Sequence, residues 1–398
     1  MRAKAIFLKL LRAAPPAGQS PRGVAPVVLP LILALAAGYL AGCASTPPPR
    51  GVDYPAPAAS VPTVVQPQTP PRPAPPPPAA GSGLDAAFER STLLAESFYK
   101  NTDALLQQVE ASGAMGVNRG WEAGTRKGGE WFIEEQRFAD SIIGAGVNRN
   151  RMDLISAGLR AIEWGFAQQA MDGSFPCRDN YLGASYFVAA TAHSLWLLES
   201  TGYARSFGGR IGALRSPLER AARWLADPRN AQAAADAQDA HASRLLLTGY
   251  ALAGAGQLLG FAEFTEAGDA SVSRAMQRQH GSGYFVERGG FDVSYQAEGL
   301  VYLLRYYDHA ASAHAQRQVA PALQRGLDWL VTRVNARGVV QVAGNTRTGA
   351  NQERDRTGAP RRTSAVAVAR ALGLARHVLG NSQYETLARS VASARQPG

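Results

Sequence analysis

The sequence predicts an all-α domain that begins near residue 85 and is built from helical hairpins with a period of about 55 residues. Three glycine loops carry this period, because Gly173-Ser174-Phe175, Gly283-Tyr284-Phe285 and Gly338-Val339-Val340 begin 110 and 55 residues apart. Trp164 and Trp329 each lie nine residues before one of these glycines. We therefore interpret each unit as a helix, a glycine-containing loop and a second helix.

Hairpins of this size cannot bury their apolar faces alone, so consecutive units must stack. Four or five units fit into residues 85–398. Stacking gives either a closed ring, an α/α toroid of the incomplete (α/α)5–6 barrel type, or an open α-solenoid, and we expect the toroid. The middle unit fits less well, because no Gly-x-Phe loop joins the predicted helix of Trp224 to the one expected at 242–260. Strands are expected at most as short pieces around 284–291 and 338–343.

The first 42 residues have the pattern of a secretory signal, with no Asp or Glu, five basic residues and an apolar run from Val24 to Leu40. The run ends in Leu40-Ala41-Gly42-Cys43, which resembles the lipobox of bacterial lipoproteins. That resemblance implies cleavage before Cys43 and lipidation of its thiol. Because Ala44 follows rather than an aspartate, it also implies the outer membrane, with the domain facing the periplasm or the cell surface. The alternative is a transmembrane anchor, but the run is short for a span of about 20 residues.

A proline-rich tether is predicted for residues 43–84, which follow the signal. Residues 44–84 hold 14 of the 25 prolines of the chain. Such a segment buries too little apolar surface to fold, and its prolines favour an extended spacer. The alternative interpretation is a ligand for a proline-binding partner, because Pro75–Pro78 is an uninterrupted run.

Charge and cysteine content restrict the partners only mildly. Removing the five basic residues of the signal leaves 36 Lys+Arg against 31 Asp+Glu, a net charge of +5, which permits an acidic polymer as partner. Only Cys177 remains after lipidation of Cys43, so no intramolecular disulfide is possible. The sequence has no zinc-type Cys/His spacing, no phosphate-binding glycine motif and no Gly-x-Ser-x-Gly elbow. We therefore expect no metal, no cofactor and no nucleic-acid partner.

A short motif suggests a class of enzyme. Asp172-Gly173-Ser174-Phe175 follows a Trp-bearing helix and precedes an aromatic-rich one, which resembles the hairpins of α/α-toroid carbohydrate-active enzymes, notably polysaccharide lyases of the alginate and heparinase types. Squalene-cyclase-like and prenyltransferase toroids use similar hairpins, so the fold alone does not fix the chemistry. The lyase resemblance implies that the second helix of each hairpin is the inner one and that the loops before the inner helices form a cleft.

Two loops, at 172–186 and 280–296, are therefore the predicted cleft. The basic segment around Arg347 and Arg354 is a further candidate contact for an anionic polymer. β-Elimination next to a uronic acid needs a group that neutralises the carboxylate, a base and an acid. The predicted catalytic residues are Tyr295, Tyr186, His193, Arg288, Asn180 and Asp292. The predicted substrate-binding residues are Asp172, Asp179, Tyr181, Glu287, Tyr284, Gln296, Arg347 and Arg354.

Each candidate residue also has a structural interpretation. Asp172 is in a turn-forming pair, Asp292 is a possible helix cap, and His193 is by itself more typical of a protein core.

In the predicted chemistry, Arg288 or Asn180 neutralises the carboxylate. Tyr295, Tyr186 and His193 are the candidates for the base and the acid.

Two other functions remain open at this point. The first is a glycoside hydrolase, with Asp172 or Asp179 paired with Asp292 or Glu287 across the scissile bond. The second is a lipoprotein without catalytic activity that binds a glycan or an envelope protein.

Overall fold

The computed structural model describes residues 104, 106–121, 131–355 and 358–396. The predicted signal peptide, Cys43, the tether and the boundary at residue 84 lie outside these ranges. Eleven α-helices lie within them, and pairing between extended segments is there confined to isolated bridges. The all-α prediction is confirmed. The helices are α1 Ala139–Asn148, α2 Met152–Ala167, α3 Asn180–Ser200, α4 Ala204–Ala226, α5 Pro228–Asp239, α6 Ala242–Leu259, α7 Ala262–Gln277, α8 Val293–Arg305, α9 Ala313–Val331, α10 Ala365–Leu379 and α11 Ser382–Ser393.

Ten of these helices form five successive pairs, α1–α2, α3–α4, α6–α7, α8–α9 and α10–α11. The first helices α3, α6 and α8 are buried around most of their circumference, whereas α4, α7, α9 and α11 bury one apolar stripe and expose the rest. Along the chain, α3 contacts α1 and α6, α6 contacts α8, and α8 contacts α10. These helices therefore form a continuous inner layer. Because α3, α8 and α10 each follow one of the predicted glycine loops, each is the second helix of a unit as the sequence analysis defined it. No helix in the described ranges is long and apolar enough to cross a bilayer.

The predicted glycine loops lie before inner helices, and their glycines have a steric reason. Gly173 and Gly283 have φ values of +91° and +107°. A Cβ atom would lie 2.2 Å from the carbonyl oxygen of Arg220 at Gly173, and 2.3 Å from that of Arg325 at Gly283. Both the backbone conformation and the close approach to a neighbouring outer helix therefore exclude a side chain.

A further glycine loop was missed by the sequence analysis. Gly113 has a φ of +101°, and a Cβ atom there would lie 2.3 Å from the carbonyl oxygen of Arg160. Met115, two residues on, is buried like Phe175 and Phe285 in the equivalent position. The loop was missed because Gly113 lies 60 residues before Gly173 rather than 55.

The 55-residue period describes the glycine loops better than the helices. The inner helices α3, α6, α8 and α10 start 62, 51 and 72 residues apart. Two insertions cause the differences: α5 precedes α6, and a long segment precedes α10. The strands expected around 284–291 and 338–343 are only isolated bridges, such as Gln279 with Phe285 and Val334 with Val340.

Candidate functional site

A central cavity of about 610 Å³ lies among the inner helices α1, α3, α6, α8 and α10. Its wall also includes part of the basic segment, which we define as residues 345–355 and 358–362. The charged residues of the lining are seven arginines and five carboxylates. The arginines are Arg137, Arg244, Arg305, Arg347, Arg361, Arg362 and Arg370. The carboxylates are Glu134, Glu135, Asp140, Glu298 and Asp355.

One face of α8 supplies much of the polar wall. Tyr295, Glu298, Tyr302 and Arg305 all line the cavity. Their spacings of three, four and three residues place them in one row along the helix. The opposite side of α8 is apolar and packs in the core, so the helix presents a polar stripe to the cavity.

Two arginines surround the side chain of Tyr295. The Nη1 atom of Arg361 donates to the Tyr295 hydroxyl at 2.5 Å, and the Arg347 guanidinium lies 3.4 Å from the centre of the tyrosine ring. Burial raises the pKa of Tyr295, and both cations oppose that rise because they favour the phenolate. The hydroxyl therefore holds its proton in the free protein, while the phenolate formed by its loss would be stabilised.

Arg347 is held by one buried and one partly exposed carboxylate. Its Nη1 lies 2.6 Å from Glu287, and its Nε lies 3.0 Å from Glu353. Glu287 is fully buried, and burial raises its pKa despite the opposing effect of Arg347. These contacts fix the guanidinium over Tyr295, so Glu287 is a positioning group for the cavity wall.

Asp292 anchors the basic segment to the start of α8. Its Oδ1 accepts from the backbone N–H groups of Ser294 and Tyr295 at 3.0 and 3.3 Å, as a helix cap does. Its Oδ2 accepts from the backbone N–H groups of Arg347 and Thr348 at 3.1 and 2.7 Å, and from the Thr348 hydroxyl at 2.9 Å. One buried carboxylate thus joins a helix start to the segment that carries three cavity arginines.

A buried ion cluster lies around Asp140. This carboxylate lies 2.8 Å from Arg305, 3.5 Å from Arg370 and 2.5 Å from Nδ1 of His193. Burial would raise the pKa of Asp140, but Arg305 and His193 outweigh it and hold the pKa far below its usual range. Burial and Arg305 lower the pKa of His193 to about 4, so its neutral ring donates from Nδ1 to Asp140.

A tyrosine–glutamate pair faces the cavity from α3 and α8. The Tyr186 hydroxyl donates to Glu298 Oε1 at 2.9 Å, and the Arg137 guanidinium lies 4.5 Å from the centre of the Tyr186 ring. Burial, followed by Glu298, raises the pKa of Tyr186 well above its usual value. Glu298 is therefore placed to receive a proton from Tyr186.

The cavity contains a destabilised cation. Burial lowers the pKa of Arg244, and repulsion by Arg347 lowers it further. Crowded, desolvated guanidinium groups are stabilised by an incoming anion. The charge balance of the wall thus favours a ligand that carries a carboxylate, sulfate or phosphate.

Three predicted residues, Tyr186, Tyr295 and Arg347, line the central cavity. His193 lies behind its wall, bonded to Asp140. Asp179, Asn180 and Tyr181 line a second pocket instead.

The remaining predicted residues lie outside both cavities. Asp172 is exposed and accepts from Ser174 in its own turn. Arg288 has a φ of +52° and pairs with Glu353 at 3.3 Å, and Arg354 donates to the Gly358 carbonyl within its exposed loop. Tyr284 stacks on His280, and Gln296 accepts from the Phe285 backbone N–H and donates to the Gly326 carbonyl. Glu287 and Asp292 are the anchors described above.

These positions bear on the hydrolase alternative. Asp292 and Glu287 are both fully buried and bonded to backbone and arginine partners, so neither reaches the cavity to flank a scissile bond.

Within the described residues, no group of three or more His, Cys, Asp or Glu side chains is placed to hold a metal ion.

Sequence reasoning missed most of the cavity wall, including Arg244, Glu298, Tyr302, Arg305 and Arg370. The row from Tyr295 to Arg305 had a detectable signal, because polar residues at a helical spacing interrupt an otherwise apolar helix. Asp140 and Arg244 had none, since each is a single charged residue near a helix start, outside any repeated pattern.

Comparisons with known proteins do not narrow the function. No protein-family model matches the chain, and the search of curated proteins gives no match. We therefore infer the function from the geometry of the site.

Proposed function

We propose that the protein is an outer-membrane lipoprotein whose hairpins close into an incomplete α/α toroid, and that it cleaves an acidic polysaccharide in the central cavity by β-elimination. The ring closure is supported by the chain of contacts from α1 to α10 and by the reach of Arg370 on α10 to Asp140 on α1. The signal sequence and Cys43 are the basis for the lipid anchor and the location.

The observation that carries the enzymatic proposal is the setting of Tyr295, whose hydroxyl lies 2.5 Å from Arg361 and whose ring lies under Arg347. A tyrosine that donates its proton to the leaving O4 oxygen becomes a phenolate. These two cations stabilise that phenolate when it forms, which is how preorganised charges lower a barrier.

The proton at C5 needs an acceptor on the same wall. Tyr186 takes this proton while its own hydroxyl proton passes to Glu298, which already accepts a hydrogen bond from it at 2.9 Å. The C4–O4 bond breaks, Tyr295 protonates O4, and a C4–C5 double bond forms. Solvent then returns the proton from Glu298 to Tyr295.

The substrate carboxylate requires a cation beside the C5 centre. Arg288 and Asn180, the two residues predicted for this role, do not line the central cavity. Arg244 takes the role in the proposal, because it lines the cavity, and a bound carboxylate would offset the burial and the repulsion by Arg347 that lower the pKa of Arg244.

The test is an ultraviolet assay of the conjugated double bond on a panel of uronic-acid polysaccharides. Tyr295→Phe removes only the hydroxyl, so turnover is expected to fall by about 10² to 10⁴ while polymer binding persists. Tyr284→Phe is the matched control, because Tyr284 lies outside the cavity and should keep full activity.

Two results would overturn the lyase proposal. Equal loss of activity in Tyr295→Phe and Tyr284→Phe would remove the assignment of Tyr295. Saturable binding of one glycan without any product, even after long incubation, would instead identify a binding protein.

A glycoside hydrolase is the second candidate, and Glu135 favours it. Burial raises the pKa of this cavity carboxyl, opposed by Arg137, as expected for a general acid. Glu298 is the available partner carboxylate. A hydrolase would release reducing ends without ultraviolet absorbance, and Glu135→Gln would abolish turnover while Tyr295→Phe would not.

The anchor is tested separately from the chemistry. Cys43→Ser should leave the precursor uncleaved and unlipidated, as shown by its mass and by the absence of incorporated labelled palmitate. A Cys43→Ser protein that is still cut and stays in the membrane at high salt would contradict the lipid anchor.

A further inference from the structure

A second pocket of about 320 Å³ lies beside the central cavity. Its wall comes from the start of α3, the end of α4, one side of α5 and the start of α6. Two aromatic rings, of Tyr181 and Trp224, and three side-chain amides, of Asn180, Asn230 and Gln238, line it.

The two cavities are neighbours. Leu182 and Arg244 line both of them. Only the thickness of these side chains therefore separates a ligand at Arg244 in the central cavity from the second pocket. That spacing suits consecutive residues of one chain molecule better than two independent ligands.

The charge of the two walls differs sharply. The central cavity has seven arginines against five carboxylates, whereas the second pocket has Asp179 against the shared Arg244. A second acidic group would find no cation of its own in the second pocket. The pocket therefore selects an uncharged unit.

The uncharged part of the wall has the groups that bind sugars. The indole of Trp224 is half-buried and lies 5.9 Å from the Tyr181 ring, which gives an apolar surface for the C–H face of a sugar ring. Three amides, of Asn180, Asn230 and Gln238, supply donors and acceptors for hydroxyl groups.

Gln238 adds an independent sign of a ligand. Its side chain is only 5% exposed, and its Oε1 atom has no hydrogen-bond partner within the described residues. A buried amide oxygen without a partner is costly and is uncommon in folded proteins. A sugar hydroxyl bound in the pocket that Gln238 lines would supply the missing donor.

The pocket is also where the repeat breaks. The units at Gly173 and Gly283 enter their inner helices through a glycine loop, but the unit between them has α5 instead. Asn230, Ala233, Ala234 and Gln238, all on α5, form much of the pocket wall. Departures from a regular pattern tend to occur where function requires them.

We infer that the second pocket is a subsite for a neutral sugar, so that the substrate has an uncharged hexose or N-acetylhexosamine linked to the acidic sugar bound in the central cavity. The inference rests on the proposed function only in taking the ligand of the central cavity to be an acidic glycan. It excludes a homopolymer of uronic acid as the preferred substrate.

The experiment measures calorimetric dissociation constants of the full-length protein in detergent for four probes. They are free glucuronate, a disaccharide of glucuronate and N-acetylglucosamine, a disaccharide of two uronates, and the neutral disaccharide chitobiose. The mixed disaccharide is expected to bind about tenfold more tightly than glucuronate, and the diuronate is expected to gain little.

Two variants assign the gain to the pocket. Asn180→Ala changes an exposed residue, and Gln238→Leu removes the buried amide oxygen that lacks a partner, so neither should harm folding. Both should remove the tenfold gain of the mixed disaccharide and leave the glucuronate constant within about twofold. Gln383→Leu, on the exposed side of α11, should change none of the four constants.

The outcomes separate the two proposals. If glucuronate fails to bind but chitobiose binds and is lost in both variants, the subsite stands and the acidic cavity ligand is wrong. If glucuronate binds and the diuronate equals the mixed disaccharide, or the variants keep the gain, the neutral subsite is wrong. Failure of all four probes overturns both.

Discussion

The loop before α3 and the loop before α8 occupy equivalent places in the repeat, yet their carboxylates have opposite surroundings. Asp172 and Asp179 remain exposed, and Asp179 borders the second pocket. Glu287 and Asp292 are fully buried and hold Arg347 and the basic segment in place. The same position in a repeat can therefore expose ionisable groups to a ligand in one unit and use them as anchors in another.

The largest expected effect on stability tests the feature that the two loops share, a glycine with a positive φ packed against a backbone carbonyl. Gly173→Ala and Gly283→Ala should each lower the free energy of unfolding by about 3 to 5 kcal/mol, because a Cβ atom would overlap a backbone carbonyl of the next outer helix. Gly260→Ala is the matched control: its φ is also positive, at +83°, but nothing lies within 4 Å, so the loss should be about 1 to 2 kcal/mol. Urea denaturation measures all three, and equal losses would show that backbone conformation alone fixes these glycines.

The next prediction tests what separates the loops. Asp292→Ala removes the acceptor of five hydrogen bonds, so we expect a loss of about 2 to 4 kcal/mol together with weaker ligand binding. Asp172→Ala removes two exposed contacts to Ser174 and should lose less than about 1 kcal/mol. Similar losses from the two substitutions in urea denaturation would contradict the comparison.

The buried carboxylates Asp140 and Glu287 should make stability depend on pH with opposite signs. The pKa of Asp140 is lowered in the folded state, so its contribution is present above its unfolded value and is lost as the pH falls through the folded pKa. The pKa of Glu287 is raised, so its contribution declines as the pH rises from the unfolded value through the folded pKa.

Asparagine and glutamine substitutions should reveal these opposite signs. Relative to the wild type, Asp140→Asn should become more destabilising between pH 3 and pH 6, by about 1 kcal/mol, while Glu287→Gln should become less so. Melting temperatures at matched ionic strength measure both trends. Parallel trends for the two variants would show that the buried carboxylates act alike.

The smallest effect concerns Arg288, which the sequence analysis made catalytic. Its guanidinium is half-exposed and pairs with Glu353 at 3.3 Å outside the cavity. Arg288→Ala should change stability by less than about 0.5 kcal/mol, and kcat/KM by less than about threefold. Arg361→Ala, at the Tyr295 hydroxyl, should reduce kcat/KM far more. A large loss of activity in Arg288→Ala but not in Arg361→Ala would show that the active site includes the loop at 280–296, as the sequence predicted.

Local chemistry explains which features could be predicted from the sequence. Gly173 and Gly283 were found because a positive φ beside a buried aromatic residue leaves a short, repeated pattern. Tyr186 and Tyr295 were found because both follow such loops. Their roles depended on neighbours, such as Glu298 and Arg361, which lie 112 and 66 residues away in the chain.

The anchors could not be separated from candidate ligand-binding groups in the same way. Asp292 and Asp179 both precede an inner helix, but only Asp292 faces the basic segment that folds back over α8. That contact joins residues 56 positions apart, and no periodicity encodes it. The insertion of α5 was likewise visible only as a poor fit to the repeat.

The anchoring of the basic segment has a consequence for how the protein matures. Of the seven arginines in the central cavity, Arg347, Arg361, Arg362 and Arg370 all lie in the last 52 residues of the chain. A nascent chain that has folded α1 to α8 has the tyrosines and four of the five carboxylates of the wall, but only three of its seven arginines. Most of the positive charge of the cavity wall is therefore added only after α8, and a chain truncated before residue 347 is left with the opposite charge balance, three arginines against four carboxylates.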